Sequence, residues 1–101
     1  MGDRLELHYI LEEILGSRNV YFQPPASVCL SYPAIVYKRT SIDSLHADNK
    51  SYKQDTAYEV IVIDSDPDSN FVYAISQLPK CRHINHYVQD NLYHDAFKIY
   101  Y

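Results

Sequence analysis

Three aspartates, Asp64, Asp66 and Asp68, are the residues whose types and spacing are most suggestive of chemistry. They alternate with other residues in the stretch DSDPDSN, which directly follows the apolar run YEVIVI. Alternating carboxylates after a strand can bind calcium, can begin a phosphate-handling active site, or can start a helix. The neighbouring residues decide among these three interpretations.

A calcium loop of the EF-hand type needs more than aspartates. A loop that begins at Asp64 would need glycine at its sixth position for the sharp turn and glutamate at its twelfth to complete the coordination. The sequence has Ser69 and Ile75 at these positions. We therefore do not expect a calcium site here.

A metal-dependent phosphate-handling enzyme would use Asp64, Asp66 and Asp68 at the end of a strand in a parallel sheet. Further strands would have to supply the other ligands, and each parallel connection takes a dozen or more residues. The chain has 101 residues, so little sequence remains after Asp64, and its glycines, Gly2 and Gly16, form no phosphate-binding loop. This enzyme stays only a remote alternative.

Helix initiation explains the same residues without a ligand. Asp66 suits the N-cap position, because its carboxylate can accept a hydrogen bond from an amide two or three residues later. Pro67 would then occupy the first helical position, and Asp68 would complement the positive helix end. The sequence predicts that the aspartates are structural and that the chain holds no metal and no cofactor.

The histidines and cysteines near the end of the chain give no clear site. His83 and His86 are three residues apart on a predicted strand, so they are expected on opposite faces and unable to share a metal ion. If the turn centres near Asp90, His86 and His94 face each other, but the spacing fixes no third ligand. Cys81 follows a helix C-terminus, which does not activate a thiolate. No catalytic residue is predicted.

Two amphipathic helices are predicted. The first spans Arg4 to Leu15, with Asp3 as its cap and Gly16 as a left-handed C-cap. The second contains apolar residues at helical spacing from Phe71 to Leu78 and ends at Pro79.

The remaining pattern predicts strands. They cover Asn19 to Phe22, Tyr32 to Thr40, Thr56 to Asp64, Cys81 to Val88 and His94 to Tyr101. The third contains an unbroken β-branched run and is expected to be central in the sheet. The polar segment from Ser41 to Lys53 is predicted to be a long hairpin connection, with extended arms that project from the domain. The order predicts one α+β domain over residues 1–101, with two helices on an antiparallel-rich mixed sheet of four to five strands.

Composition narrows the possible partners. The net charge is −4 and the nine Lys and Arg are scattered, so sequence-independent DNA binding is not expected. The sequence shows no signal peptide and no membrane span. Cys29 and Cys81 are expected to be reduced thiols of an intracellular protein.

Aromatic residues are concentrated in the final hairpin. The chain has eleven Tyr and no Trp, and five aromatics lie near its end: Tyr87, Tyr93, Phe97, Tyr100 and Tyr101. Strand alternation places Phe97 and Ile99 in the core and Tyr100 on the outer face. Tyr101, at the free end, is expected to be poorly held by the core alone. Exposed aromatics on a last strand favour burial between subunits.

Four segments resemble the tail-terminator, or tail-completion, proteins of long-tailed bacteriophages. They are YPAIVY at residues 32–37, ADNKSY at 47–52, YEVIVIDSDPDS at 58–69 and DNLYHDAFKIYY at 90–101. The helix and strand of residues 4–22 also fit the N-terminal layout of this family. The resemblance therefore covers nearly all of the chain, although none of the segments is a catalytic signature.

The resemblance implies a non-enzymatic virion protein of the tail neck, assembled in the host cytoplasm. Such proteins form a ring, typically a hexamer, on the tail tube, stop its growth and face a head–tail connector or stopper protein. DNA passes through the lumen without specific binding. Another neck component, either a connector or a stopper, is the alternative. Candidate contacts to neighbouring subunits or to the tail tube are Ile42, Leu45, Lys50, Tyr52, Tyr93, Tyr100 and Tyr101.

Overall fold

The computed structural model describes residues 4–25, 30–47 and 50–101, without the side chains of residues 41–55. The elements, in chain order, are α1 (Arg4–Leu15), β1 (Val20–Phe22), β2 (Ala34–Ala47), β3 (Lys50–Asp64), α2 (Asn70–Ser76), β4 (Cys81–Gln89) and β5 (Leu92–Tyr100).

The five strands form one mixed sheet in the order β1-β2-β3-β5-β4. Among the described residues, β1 and β2 pair in parallel, and the other three neighbouring pairs are antiparallel. This confirms the predicted α+β class and the predicted order of helices and strands. The β-branched run lies in β3, which is central in the sheet as expected.

Helix α1 has the predicted bounds and the predicted apolar stripe. Its buried residues are Leu7, Leu11 and Leu15. Gly16 ends the helix with a φ of 73° and its amide donates to the Glu12 carbonyl at 2.9 Å. This left-handed conformation favours glycine, which confirms the C-cap. The predicted cap Asp3 lies outside the described residues.

Both helices cover the same face of the sheet. Their apolar side chains pack with alternate residues of the inner strands in one cluster, which includes Leu7, Leu11, Ile75, Ile35, Tyr37, Val60, Val62, Phe97 and Ile99. Full burial of an aliphatic or aromatic side chain contributes about 1.5–3 kcal/mol. The core therefore lies between the helices and β2, β3 and β5, while β4 lies at its margin.

A polar group inside this cluster connects α1 to β2. The Tyr37 hydroxyl accepts a hydrogen bond from Arg4 at 3.2 Å and lies 2.7 Å from Nδ1 of His8. Burial raises the pKa of this phenol. Nε2 of His8 lies 3.5 Å from Glu12. Since a buried hydroxyl needs partners, this network favours one position of α1 on the sheet.

The β2–β3 hairpin has the extended, projecting arms of the prediction, but the predicted strand bounds are too short. Strand β2 was expected to end at Thr40 and β3 to start at Thr56, whereas β2 runs to Ala47 and β3 starts at Lys50. Strand β5 pairs with β3 only between Ala57 and Asp64. Residues 41–47 and 50–56 therefore form a two-stranded arm beyond the rest of the sheet, in a molecule 51 Å long and 27 Å and 23 Å across. Polarity alone did not give these strand bounds, because the sequence of the segment has no apolar alternation.

Candidate assembly surface

The aspartate segment forms turns and not a helix cap. Helix α2 begins at Asn70 with Ser69 as its N-cap, so the predicted N-cap Asp66 and first helical residue Pro67 are wrong. Asp64 accepts a hydrogen bond from the Asp66 amide at 3.1 Å, and Asp66 accepts one from the Asp68 amide at 2.9 Å.

The carboxylates of Asp64 and Asp66 each accept from the amide two residues ahead, which is the geometry of an aspartate turn. A helix cap can use the same kind of bond, but here the turn at Asp66 does not continue as a helix, and α2 starts only at Asn70. In the part of the chain that the structure describes, no group of three or more His, Cys, Asp or Glu is arranged to hold a metal ion.

A two-residue turn joins β4 and β5. Asp90 and Asn91 have φ values of 54° and 63°, and Gln89 is paired with Leu92. Two successive positive φ values are typical of a hairpin turn whose twist matches that of the strands. The turn therefore sets the register of the predicted hairpin, which is confirmed.

The histidine prediction is wrong because β4 contains a bulge. The register shifts between His83 and Asn85, and this extra residue changes the alternation of side chains along the strand. His83 and His86 consequently lie on the same face. Nε2 of His83 is 3.1 Å and Nδ1 of His86 is 2.8 Å from the same Asp95 carboxylate oxygen.

The predicted partner of His86 is also wrong. His94 is paired with Tyr87, on the face away from the helices, and the two rings stack with centroids 4.8 Å apart. Because the turn centres between Asp90 and Asn91, the pairing is one residue away from the one expected. Period-two alternation gives no signal of a bulge, so sequence reasoning missed the cluster of His83, His86 and Asp95.

The Asp95 cluster fixes β4 against β5. The Asp95 side chain is 12% exposed, whereas the imidazole side chains of His83 and His86 are 45% and 47% exposed. The ring of His86 stacks on Tyr93 with centroids 6.1 Å apart, and His83 makes an edge contact with Phe97 at 5.1 Å. A buried carboxylate with two hydrogen-bond donors is well satisfied, so the cluster holds a strand that contributes little to the core.

Strand β4 lies at one edge of the sheet and most of its side chains are exposed. Among them, Ile84 is 48% and Val88 is 60% exposed. Neither was predicted as a contact, because the prediction rested on aromatic residues. The signal available in the sequence was that both are aliphatic residues within the predicted strand from Cys81 to Val88.

The predicted contact residues on β5 are only partly exposed. Tyr93 and Tyr100 are half-buried, and Tyr101 packs against the core cluster. The Tyr101 amide donates to Thr56 at 3.0 Å and its hydroxyl donates to Glu6 at 3.1 Å. Tyr101 was expected to be poorly held by the core alone, and in the structure these hydrogen bonds add to its contact with the core. The side chains of Ile42, Leu45, Lys50 and Tyr52 lie outside the described residues.

Cys81 is half-buried at the start of β4, and burial raises the pKa of its thiol. A raised pKa lowers the thiolate fraction at neutral pH, which makes the group less nucleophilic. Cys29 lies outside the described residues.

Comparison with models of protein families finds no match for this chain, and comparison with curated proteins finds no significant match either. In the described residues, no helix combines the length and the apolar character that crossing a membrane requires.

Proposed function

We propose that this protein is a structural component of the neck of a long-tailed bacteriophage. Several copies, six by the resemblance, form a ring on the end of the tail tube. The ring ends tail growth and joins the tail to a head–tail connector or stopper protein. DNA passes through its lumen, and the protein acts in the virion after assembly in the host cytoplasm.

The observation that carries this proposal is the two-stranded arm. Between Lys50 and Thr56, β2 is the one strand that pairs with β3 in the described part of the chain. A two-stranded hairpin is at best marginally stable by itself in water. An arm of this length therefore favours contact with another protein surface, which a tail tube or an adjacent subunit would provide.

The exposed edge strand supports the same function. β4 is fixed by the Asp95 cluster but is covered on neither face along most of its length. The sequence resemblance adds the specific class of partners, and the structural features add two surfaces that suit assembly. A connector or stopper of the same neck would use similar surfaces, and it stays the alternative.

Shortening the arm tests this function. Deleting Asp43, Ser44, Gln54 and Asp55 removes two complete pairs from the ladder. Because two residues leave each strand, the remaining side chains keep their faces. We expect a folded monomer with an unchanged far-ultraviolet spectrum, and phage particles with overlong or unjoined tails in electron micrographs.

The matched control is Asp43→Asn with Asp55→Asn, which changes charge at the same positions but keeps the full arm. This control is expected to give normal tails. Normal tail length with the shortened arm would contradict the proposed function. Unfolding of the shortened protein would instead show that the arm belongs to the folding unit.

A further inference from the structure

The first relevant feature is the unpaired edge of β4. This strand is last in the sheet order and is 9 residues long. It contains neither Lys nor Pro, two residues that discourage further pairing at an edge. Its one bulge partly protects it. With Ile84 and Val88 exposed, the edge combines backbone hydrogen-bonding groups with apolar side chains.

The ladder shows which amides of β4 point outward. The Tyr100 amide donates to the Lys80 carbonyl at 3.2 Å. In an antiparallel ladder every second residue forms a hydrogen-bonded pair with the neighbouring strand, so the even-numbered residues of β5, including His94, are hydrogen-bonded to β4. Val88 is paired with Tyr93, between these positions. Its amide therefore points away from β5. The His86 amide also points away from β5, and it donates a hydrogen bond to the Asn85 side chain of its own strand at 2.9 Å.

The second relevant feature is an unpaired edge on the opposite side of the sheet. β1 pairs with β2 only from Ile35 to Tyr37, and Gln23 extends this contact to the Arg39 amide at 3.3 Å. From Thr40 to Ala47, β2 has no strand on this side among the described residues. This edge is about 27 Å long and β4 is about 31 Å long at the usual rise per residue.

Backbone alternation also shows which amides of this second edge point outward. The Ile35 amide donates to Asn19 at 2.9 Å, and Ile35 is paired with Val62. Even-numbered residues of β3 therefore oppose residues of β2 whose amides point outward. Ser44 is paired with Gln54, so its amide points away from β3.

The directions of the two edges fit each other. Since β2–β3, β3–β5 and β5–β4 are all antiparallel, β4 runs opposite to β2. A neighbouring copy with the same sheet orientation thus presents its β2 antiparallel to β4. Cys81, the first residue of β4, is paired with Ile99, which is paired with Tyr58, which is paired with Arg39. The free part of β2 starts after Arg39, so it is displaced along the strand direction from β4. Such a stagger is what closure of a sheet into a barrel requires.

We propose that β4 of one copy pairs antiparallel with the Thr40–Ala47 edge of β2 in the next copy. The contact joins two different surfaces, so it repeats around a ring. This inference rests on the proposed function and deepens it, because it names the two sheet edges that meet between subunits.

Proline substitutions test the two edges separately. Val88→Pro removes an amide that points away from β5, so the β4–β5 ladder keeps its bonds, while strand addition is blocked. Ser44→Pro does the same on the other edge. We expect both variants to be folded monomers by circular dichroism and native mass spectrometry. Val88→Thr keeps the amide and is expected to assemble like the wild type.

Mixing the two variants gives the sharpest result. The Val88→Pro variant keeps an intact β2 edge, and the Ser44→Pro variant keeps an intact β4 edge. Their mixture is expected to form heterodimers in a 1:1 ratio and no rings. Val88→Lys, which places a charge on the edge without changing the backbone, is a second blocking variant if the proline variant does not fold.

Several outcomes would overturn the inference. Wild-type ring size in Val88→Pro and Val88→Lys would show that β4 is not an interface. Rings from Ser44→Pro with monomers from Val88→Pro would show that β4 has a different partner surface. A wild type that stays monomeric at all concentrations would also contradict it. Tail length in micrographs decides the proposed function independently, because a ring with other contacts would still terminate tails.

Discussion

The two strands of the C-terminal hairpin differ in burial: β5 lies inside the sheet and contributes to the core, whereas β4 lies at the edge and is mostly exposed. Strand β5 lies between β3 and β4 and contributes Phe97 and Ile99, which are 0% and 1% exposed, to the core. Strand β4 is at the edge and contributes one half-buried residue, Cys81, to the margin of that core. The same hairpin thus contains a strand required for folding and a strand available for binding.

The Asp95 cluster explains how the exposed strand stays in place. Side-chain packing cannot fix β4, because most of its residues are in solvent. Two imidazoles and one carboxylate replace that packing with hydrogen bonds at the bulge. An edge ordered before binding loses less conformational entropy when a partner adds to it.

Replacing Phe97 by Ala should have the largest effect on stability. The side chain is fully buried in the cluster, and deletion of a buried phenylalanine ring typically costs about 3–5 kcal/mol. That is a large part of the stability of a small domain. Urea unfolding measures the change. The matched substitution on the other strand, Val88→Ala, should change stability by less than about 0.5 kcal/mol; similar losses for both would remove the contrast between the strands.

Asp95→Ala should have an intermediate effect. It removes the shared acceptor of His83 and His86, and hydrogen bonds to a charged group contribute about 1.5–3 kcal/mol when buried. The half-exposed imidazoles can bind water instead, so we expect a loss of about 1–2 kcal/mol. Amide exchange should become faster in β4 than in β5.

The control for this substitution is Asp95→Asn, which keeps an acceptor oxygen in a side chain of similar shape. It should retain most of the stability and the protection of β4. Equal exchange in the two strands of Asp95→Ala would show that the cluster does not hold the edge.

Local patterns predicted much of this hairpin. The alternation of Phe97 and Ile99 identified the buried face of β5, and the turn residues Asp90 and Asn91 located its connection. The same kind of signal gave α1 its bounds, since its apolar stripe and Gly16 are features of a single element. Such features depend on sequence neighbours and can be read without the partner strand.

The wrong predictions concern features that depend on contacts between different parts of the chain. Whether His83 and His86 share a face depends on a bulge opposite β5. Asp66 accepts the predicted kind of hydrogen bond, from the Asp68 amide, but whether that turn continues as a helix depends on the residues after it. The bounds of the arm were predicted too short because pairing between its strands, and not apolar alternation, defines them. The bulge and the arm are also parts of the candidate assembly surface.

Tyr100→Asp tests the face of β5 that points away from the helices. Tyr100 is half-buried, and Lys98 lies over its ring at 5.2 Å. Loss of this cation–π contact at a partly exposed site costs about 0.5–1 kcal/mol. We expect nearly unchanged melting of the monomer but fewer rings and more unterminated tails. Tyr100→Phe should assemble normally.

The outcome of this substitution also distinguishes two positions for Tyr100. An unfolded monomer would place the residue in the core, contrary to the alternation of β5. Normal tails would exclude it from the subunit interface and leave the edge of β4 as the surface to examine.

Ile84→Ser should have the smallest effect on folding. Ile84 is the extra residue of the bulge and is 48% exposed, so the free energy of unfolding should change by less than about 0.5 kcal/mol. Its effect on assembly should be much larger. A bulge redirects a side chain relative to a regular strand, and an apolar residue that enters a neighbour's interface contributes about 2 kcal/mol when it is a hot spot. Sedimentation should then show association weakened roughly 30-fold, whereas Ile84→Val should associate like the wild type. Unchanged association in Ile84→Ser would show that β4 binds its neighbour through backbone hydrogen bonds without the Ile84 side chain. A large loss of stability would show that Ile84 is part of the core.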